Sequence, residues 1–336
     1  MDLELIKARS RVVQLMRQWF SDQGFSEMLT PRLVGLPGQE PYLEPFWTRL
    51  RKESGEGSER DAALITSPEY AMKRLLAAGL DKIYDLGPCF RNGEPWDGTH
   101  DPEFLMAEWY RRDAGLTELM DDTEAMFHWV TSQIHNSKFI IQNPDFRRLT
   151  VEEAWREYAQ VELAPLLGDR AAMAELCSSR FMQSVSPNDD WDDLYFKIFL
   201  SEIEPKLGLE QPTFLYRYPA SMAALARRSA DDPRWAERVE LYIGEMELAN
   251  GFAELCDPME QRQRFIEERE LKSKQGKKVW ALDERFLADL PRMGNAAGIA
   301  FGVDRLAMLL TGAKSINDIL PFPARERFNP LAERKI

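Results

Sequence analysis

The segment EFLMAEWY, residues 103–110, alternates so that Phe104, Met106, Glu108 and Tyr110 share one face of a strand. Leu105, Ala107 and Trp109 fall on the other face and suffice for a core, so a solvated side is the plain expectation for the first set. At about 3.3 Å per residue, Phe104 and Tyr110 stand roughly 20 Å apart, room for a nucleotide joined to a small amino acid. Just upstream, Arg91 and His100 flank the polar loop RNGEPWDGTHD. A guanidinium can fork two hydrogen bonds onto a phosphate or carboxylate, which suits Arg91 to nucleotidyl transfer.

In VELYIGEMELANGFAEL a turn near Gly244 would bring Glu240 and Glu247 to one face of a hairpin, opposite or diagonal to each other. Like charges facing each other destabilise a sheet unless solvent or a cation lies between them. Hard carboxylate oxygens suit Mg2+, which takes one or two carboxylates and fills its shell with phosphate and water. Strict alternation puts Asn250, Phe252 and Glu254 opposite Glu247 in facing, and a bulge at Asn250–Gly251 would restore them to one face. Further on, GIAFGVDRL sets Gly298 and Gly302 close to Arg305 at a helix start, where small residues admit a ligand and a cation can meet phosphate. G-x-x-x-G spacing also serves plain close packing.

Other chemistries have little support. Cys89, Cys177 and Cys256 are far apart with no C-x-x-C pair, so neither a disulfide framework nor a structural zinc site is indicated. His100, His128 and His135 include no helical i, i+4 pair, so metal chemistry rests on carboxylates. There is no Walker A loop, no G-x-G-x-x-G fingerprint and no internal repeat.

Several elements position these groups. Val12, Leu15, Met16, Trp19 and Phe20 follow helical spacing, with Gly24 as the stop. A strand is expected from Phe25 to Leu29, ending at Thr30–Pro31, and a flexible loop over Arg51–Ala62. Ser67–Pro68–Glu69 starts a helix that Gly79 ends. Ile83–Phe90 and Glu103–Tyr110 are expected strands, followed by helices to about residue 205. Val239–Ile243 and Met246–Leu255 pair ahead of a helix capped by Asp257–Pro258, and Gly298–Gly302 runs into a helix over Val303–Leu310. Strands at both ends of the chain with helices between them point to an α+β enzyme with a mostly antiparallel sheet.

The 336 residues carry 43 Lys plus Arg against 56 Asp plus Glu, a net charge of -13, which argues against a protein living mainly on nucleic-acid phosphates. With 44% hydrophobic and 29% charged residues the composition is that of an ordinary globule. No apolar run approaches the ~20 residues of a membrane span, and MDLELIKARS is not a secretory leader. A cytoplasmic protein without membrane contact is expected.

Taken in order, these segments resemble the three motifs of class II aminoacyl-tRNA synthetases: the helix and strand ending at Pro31; CFRNGE with H-D-P-E-F; and GIAFGVDRLAM. TSPEYAMKRLL, PEFLMAEWY and ELANGFAEL resemble the lysine-specific branch, and the likeness covers nearly the whole chain. The tRNA enzymes carry an additional N-terminal anticodon-reading barrel, whereas this chain is similar to the truncated lysyl-tRNA-synthetase-like ligases that modify elongation factor P. Ala300 agrees, because the tRNA enzymes have Gly there. The resemblance implies one synthetase-like catalytic domain over residues 1–336, with a helical insertion at about 115–210 and no anticodon-binding domain.

The resemblance also implies roles. Arg91 would hold the α-phosphate and the amino-acid carboxylate, Phe104 would stack on adenine, and Arg305 would meet the γ-phosphate, making Arg91 and Arg305 the catalytic pair. His100 would contact the β- and γ-phosphates, Glu94 the adenine amine, and Glu240 and Glu247 would hold Mg2+. Glu69 would bind the backbone-type amine, and Ser67 would also belong to the substrate-binding set. Glu108, Tyr110 and Glu254 would surround the side-chain ammonium, with Asn250, Phe252 and Ala300 completing the pocket. The implied cofactors are ATP and Mg2+, and the partners are α-lysine or (R)-β-lysine, elongation factor P as protein substrate, and a second copy in a homodimer.

The chain departs from the family pattern in three places. Gly93 stands where an R-x-E pattern would put Glu, with Glu94 one residue later and the loop to His100 one residue longer. GLPGQEPYLEPF replaces a threonine-rich stretch, and the ending DILPFPARERF is more like that of the tRNA enzymes. Two other readings therefore stand beside the first: a free-standing lysyl-adenylate-forming ligase with a different acceptor, and a non-catalytic paralogue that binds ATP or lysine as a regulator.

Overall fold

The computed structural model describes residues 2–51, 59–134 and 145–328; His135 lies outside them. In chain order its strands are β1 (Ser26–Glu27), β2 (Leu33–Val34), β3 (Trp47–Arg51), β4 (Glu59–Leu64), β5 (Lys82–Phe90), β6 (Glu103–Arg112), β7 (Arg147–Thr150), β8 (Thr213–Pro219), β9 (Trp235–Ile243), β10 (Met246–Ala253) and β11 (Ala296–Gly302). The main helices are α1 (Leu3–Asp22), α2 (Glu69–Ala77), α3 (Leu116–Ser132), α4 (Val151–Ala154), α5 (Arg170–Ser179), α6 (Trp191–Ile198), α7 (Pro258–Lys274), α8 (Glu284–Met293) and α9 (Val303–Thr311).

The chain divides into two compact units, residues 1–140 with 256–336 and residues 141–255. In the first, β1, β5, β6 and β11 lie side by side; β5 and β6 are antiparallel, as are β6 and β11, while β1 adds a parallel edge. A separate three-stranded sheet has the order β2-β4-β3. In the second unit β10, β9 and β8 are antiparallel neighbours and β7 is parallel to β8. The α+β class with mostly antiparallel pairing is what the strand and helix order predicts. No helix among the described residues is long and apolar enough to cross a membrane.

The first unit's core follows the sequence pattern. Val12, Leu15, Met16, Trp19 and Phe20 are the buried stripe of α1, and Phe20 stacks on Tyr84 of β5 with ring centroids 4.3 Å apart. Gly24, just past the helix, has φ +76, the left-handed backbone that favours glycine at a helix end. Asp257 caps α7 through the backbone N–H groups of Met259 and Glu260. In the second unit, Trp155, Tyr195, Phe199 and Tyr218 build a core beneath β8 and β9.

Some expectations are corrected. The strand after α1 is only Ser26–Glu27. The stretch expected as a loop over 51–62 instead contributes Arg51 to β3 and Glu59–Ala62 to β4, with Arg49 and Arg51 pairing with Asp61 and Glu59 across the ladder. Cross-strand ion pairs let a charged, non-alternating segment form an edge hairpin; residues 52–58 lie outside the described residues.

Candidate functional site

In the first unit the site is laid out along one face of β6. Register places Phe104 opposite Cys89, Glu108 opposite Asp85 on one side and opposite Ala300 on the other, and Tyr110 opposite Gly298. The face is not solvated: Glu108 and Tyr110 are each 2% exposed. Enclosure by α2 and β11 explains the difference, because alternation marks two faces without saying which of them a later element covers.

Glu108 accepts hydrogen bonds from the hydroxyls of Ser67, at 2.7 Å, and Tyr110. Burial, followed by the charge of nearby Glu69, pushes its carboxyl up to about 8, against the pull of those two donors. Ser67 also accepts the Glu69 backbone N–H at 3.0 Å, so one hydroxyl both starts α2 and orients the buried carboxylate. Glu69 pairs with Lys73 at 2.6 Å, a buried cation that pattern reading passed over although its i, i+4 spacing was visible. Gly298 is obligatory here: a Cβ at this position would lie 2.1 Å from Cε1 of Tyr110. Ala300 packs with Phe104 and Met106, beside the carboxylate it faces.

Arg91 leaves the end of β5 with its guanidinium 5.1 Å from the centre of the Phe104 ring, and its buried Nε has no hydrogen-bond partner. A buried, unmet guanidinium donor beside a half-buried aromatic is suited to an anion attached to a flat base. Arg305, at the start of α9, donates from Nη2 to Nε2 of His100 at 3.0 Å. Asp97 lies 3.1 Å from His100 Nδ1, and Glu94 lies 3.9 Å from its Nε2. In the loop between Arg91 and His100, Gly93 and Gly98 have φ +74 and +103, the left-handed backbone that favours glycine. Asp304 was also missed from the sequence: its carboxylate takes Arg9 Nε at 2.6 Å and the Leu105 backbone N–H at 2.8 Å, fixing the start of α9 against α1 and β6.

The second unit carries the remaining candidates. Gly244 and Glu245 have φ of 61 and 66, a two-residue turn whose left-handed pair suits a tight hairpin. Glu247 faces Tyr242, Asn250 faces Glu240, and Phe252 faces Arg238. The bulge therefore exists, but between Glu247 and Ala249 and not at Asn250–Gly251, where the ladder is unbroken. It has the expected consequence: Glu247, Asn250 and Phe252 share the face of Glu240. Glu240 accepts from Tyr242 at 2.7 Å, from Tyr218, from Arg238 at 2.6 Å and from Asn250 at 3.3 Å. Burial and the charge of Glu240 hold both tyrosine hydroxyls well above their ordinary range. Glu254 is 1% exposed, and Phe252 packs on Ala223, Ala226 and Ala236.

Glu240 and Glu247 are diagonal across one ladder and offer the hard carboxylate oxygens that Mg2+ takes, with both Glu240 oxygens already accepting from Arg238, Asn250, Tyr218 and Tyr242. Among the described residues no group of three or more His, Cys, Asp or Glu side chains could hold a metal. Cys89 and Cys177 are buried, and burial pushes the Cys89 thiol up to about 12, which keeps it unreactive.

The family model for class II tRNA synthetases (D, K and N) matches residues 3–326. The chain belongs to this family. It is also 37% identical over 319 residues to the elongation factor P–(R)-beta-lysine ligase of Proteus mirabilis, covering 94% of this chain and 93% of that protein. The protein of the same name from Photorhabdus laumondii is 36% identical over 316 residues, covering 94% and 93%. That from Haemophilus influenzae strain PittGG is 36% identical over 322 residues, covering 96% and 95%. This class II synthetase relative is an enzyme of the ligase class.

Proposed function

We propose that the chain activates a lysine-type amino acid, (R)-β-lysine or α-lysine, as its adenylate and transfers it to a lysine side chain of elongation factor P. The observation that carries this reading lies along β6. At one end Arg91 and Phe104 offer a cation and an aromatic face; at the other Glu108 is buried between two hydroxyl donors. A buried carboxyl pushed up to about 8 gains most from a cation, because a desolvated ammonium needs a neutralising partner. The names of the relatives supply the acceptor and the amino-acid class.

In the first step a carboxylate oxygen of the amino acid attacks the α-phosphorus of ATP in line. The bond from that phosphorus to the bridging oxygen breaks, and pyrophosphate leaves. Arg91 holds the α-phosphate and the carboxylate, while Arg305 and His100 receive the outer phosphates, so positioning and charge neutralisation carry the step. Glu240 and Glu247 are the residues that would hold Mg2+, whose part when bound is to neutralise phosphate charge. In the second step the ε-amine of the acceptor lysine attacks the adenylate carbonyl, AMP leaves, and the amine loses a proton as the amide forms. Glu94 is assigned to the adenine amine, Glu69 and Ser67 to the backbone-type amine, and Tyr110, Asn250, Phe252, Glu254 and Ala300 to the amino-acid side chain. A homodimer, a cytoplasmic setting and independence from tRNA anticodons belong to the same reading.

The test is intact-mass measurement of elongation factor P after incubation with the chain, ATP, Mg2+ and each lysine isomer. A mass increase of one lysine residue supports the reading. An unmodified factor, with lysyl adenylate accumulating, would instead favour a ligase with another acceptor.

A further inference from the structure

Glu40 lies in the segment GLPGQEPYLEPF, which has no counterpart in the assigned roles. It lines one cleft of the first unit together with Gly38, Ser67, Glu69 and Tyr70. Its loop is clasped at several points. Trp280 Nε1 donates to the Pro37 carbonyl at 3.0 Å, Gln39 Nε2 to Ala281 at 3.2 Å, and Lys277 Nζ to Pro41 at 2.7 Å. The Gln39 backbone N–H reaches the Tyr70 hydroxyl at 3.2 Å, and the Tyr70 ring is stacked on Phe286 at 4.2 Å. A Cβ on Gly38 would meet Glu40 Oε2 at 2.2 Å, so glycine there lets the carboxylate fold back into the cleft.

The charges around this cleft do not balance. Glu69, the residue assigned to the backbone-type amine, is already neutralised by Lys73 at 2.6 Å. Glu40 and Glu268 share the one cation Lys272, with Glu40 its stronger opposite charge, and Arg264 is taken by Glu260 at 2.6 Å, so the three carboxylates Glu40, Glu69 and Glu268 face two lysines. Glu40 forms no ion pair among the described residues; Glu69 repels it, while Lys272 and Arg91 act on it through space. Arg91 is the group assigned to the amino-acid carboxylate. A carboxylate left over beside Glu69, and within the field of Arg91, lies where an ammonium next to that carboxylate would have to sit.

We propose that Glu40 is the specificity-determining carboxylate for the amine nearest the substrate's carboxyl group, with the Glu69–Lys73 pair as its neutral neighbour. The ligand it selects is a diamino acid with one ammonium near its carboxylate and a second at the far end of its side chain. This rests on the lysine-activating reading above. Such a pocket rejects amino acids without that proximal amine, since the leftover charge would then be buried unpaired.

The test is pyrophosphate exchange by the full chain and its Glu40→Gln variant, with 6-aminohexanoate, which lacks the proximal amine, as competitor. Expected are a rise of about tenfold or more in the KM for lysine, an ATP KM within about twofold, and a lower inhibition constant for 6-aminohexanoate, which no longer leaves a buried charge unpaired. Gly38→Ala, which keeps the charge and pushes it aside, should move the lysine KM in the same direction, and it serves if Glu40→Gln does not fold. An active wild type whose lysine KM is indifferent to both changes, or a variant that loses lysine and 6-aminohexanoate equally, overturns the role of Glu40. A folded wild type silent with both lysine isomers overturns the functional reading, and the inference with it.

Discussion

Arg305 Nη2 lies 3.0 Å from His100 Nε2, joining side chains 205 positions apart in the sequence. A guanidinium only donates, so Nε2 must accept and the imidazole proton sits on Nδ1, facing Asp97. The Asp97 carboxylate is itself fixed by the Thr99 backbone N–H at 2.8 Å; burial pushes it up, but that N–H together with His100 and the Thr99 hydroxyl brings it down to about 2. Asp97 thus sets the orientation of the histidine assigned to the outer phosphates. Asp97→Asn is expected to raise the ATP KM roughly tenfold, the worth of one charge-assisted hydrogen bond of about 1.5 kcal/mol, and to leave the lysine KM alone. Steady-state exchange kinetics with ATP and lysine varied separately checks this.

Arg305→Ala should lower lysine-dependent exchange by about a hundredfold or more, since it removes a donor aimed at phosphate charge that grows in the transition state. Arg305→Lys should not restore it, because an ammonium cannot reproduce the fork. Turnover at the wild-type rate in Arg305→Ala would show that α9 does not face the nucleotide.

Glu108 gives a proton-linked signature. With its carboxyl at about 8 in the free protein, it is mostly protonated at pH 7, and an arriving ammonium would draw it into the charged form. Lysine binding should therefore release a proton near neutral pH and tighten as pH rises toward 8. Calorimetry in buffers of different ionisation enthalpy measures the release, and Glu108→Gln should abolish it. The stability consequence has the matching sign: the folded carboxyl titrates above its unfolded value of about 4.5. The protonated form's contribution is therefore complete below that value and is lost as pH climbs to about 8.

Gly298→Ala probes how tightly Tyr110 is seated. The added methyl would meet the ring at 2.1 Å, within a buried strand pair, so a loss of roughly 1–3 kcal/mol is expected by thermal or denaturant unfolding. A displaced Tyr110 would also leave Glu108 with one donor fewer, and the lysine KM should rise in the same variant.

Much of this architecture is legible in the sequence, and the rest is hidden for identifiable reasons. The α1 stripe, β5, β6, the Glu240–Glu247 hairpin and the β11–α9 junction all show in local periodicity and turn residues. The β3–β4 hairpin does not, because its ladder is held by ion pairs and not by apolar alternation. The bulge position escaped because a glycine marks only one permissive place, while the pairing of β9 with β10 decides which place is used. Asp304 and Arg9 meet across 295 positions, and Lys73 gains meaning only from the burial of Glu69. Glu40 reads as one more loop carboxylate until Trp280 and Lys277 are seen holding its loop to the cleft.

The most direct test of the central claim is pyrophosphate exchange into ATP by the purified chain with Mg2+, offered α-lysine, (R)-β-lysine and other amino acids in turn. Exchange that depends on a lysine isomer, and disappears in Arg305→Ala and on chelation of the metal, is the predicted result. A folded, ATP-binding protein that stays silent across the whole panel would contradict the account and make the chain a non-catalytic relative of the ligases it resembles.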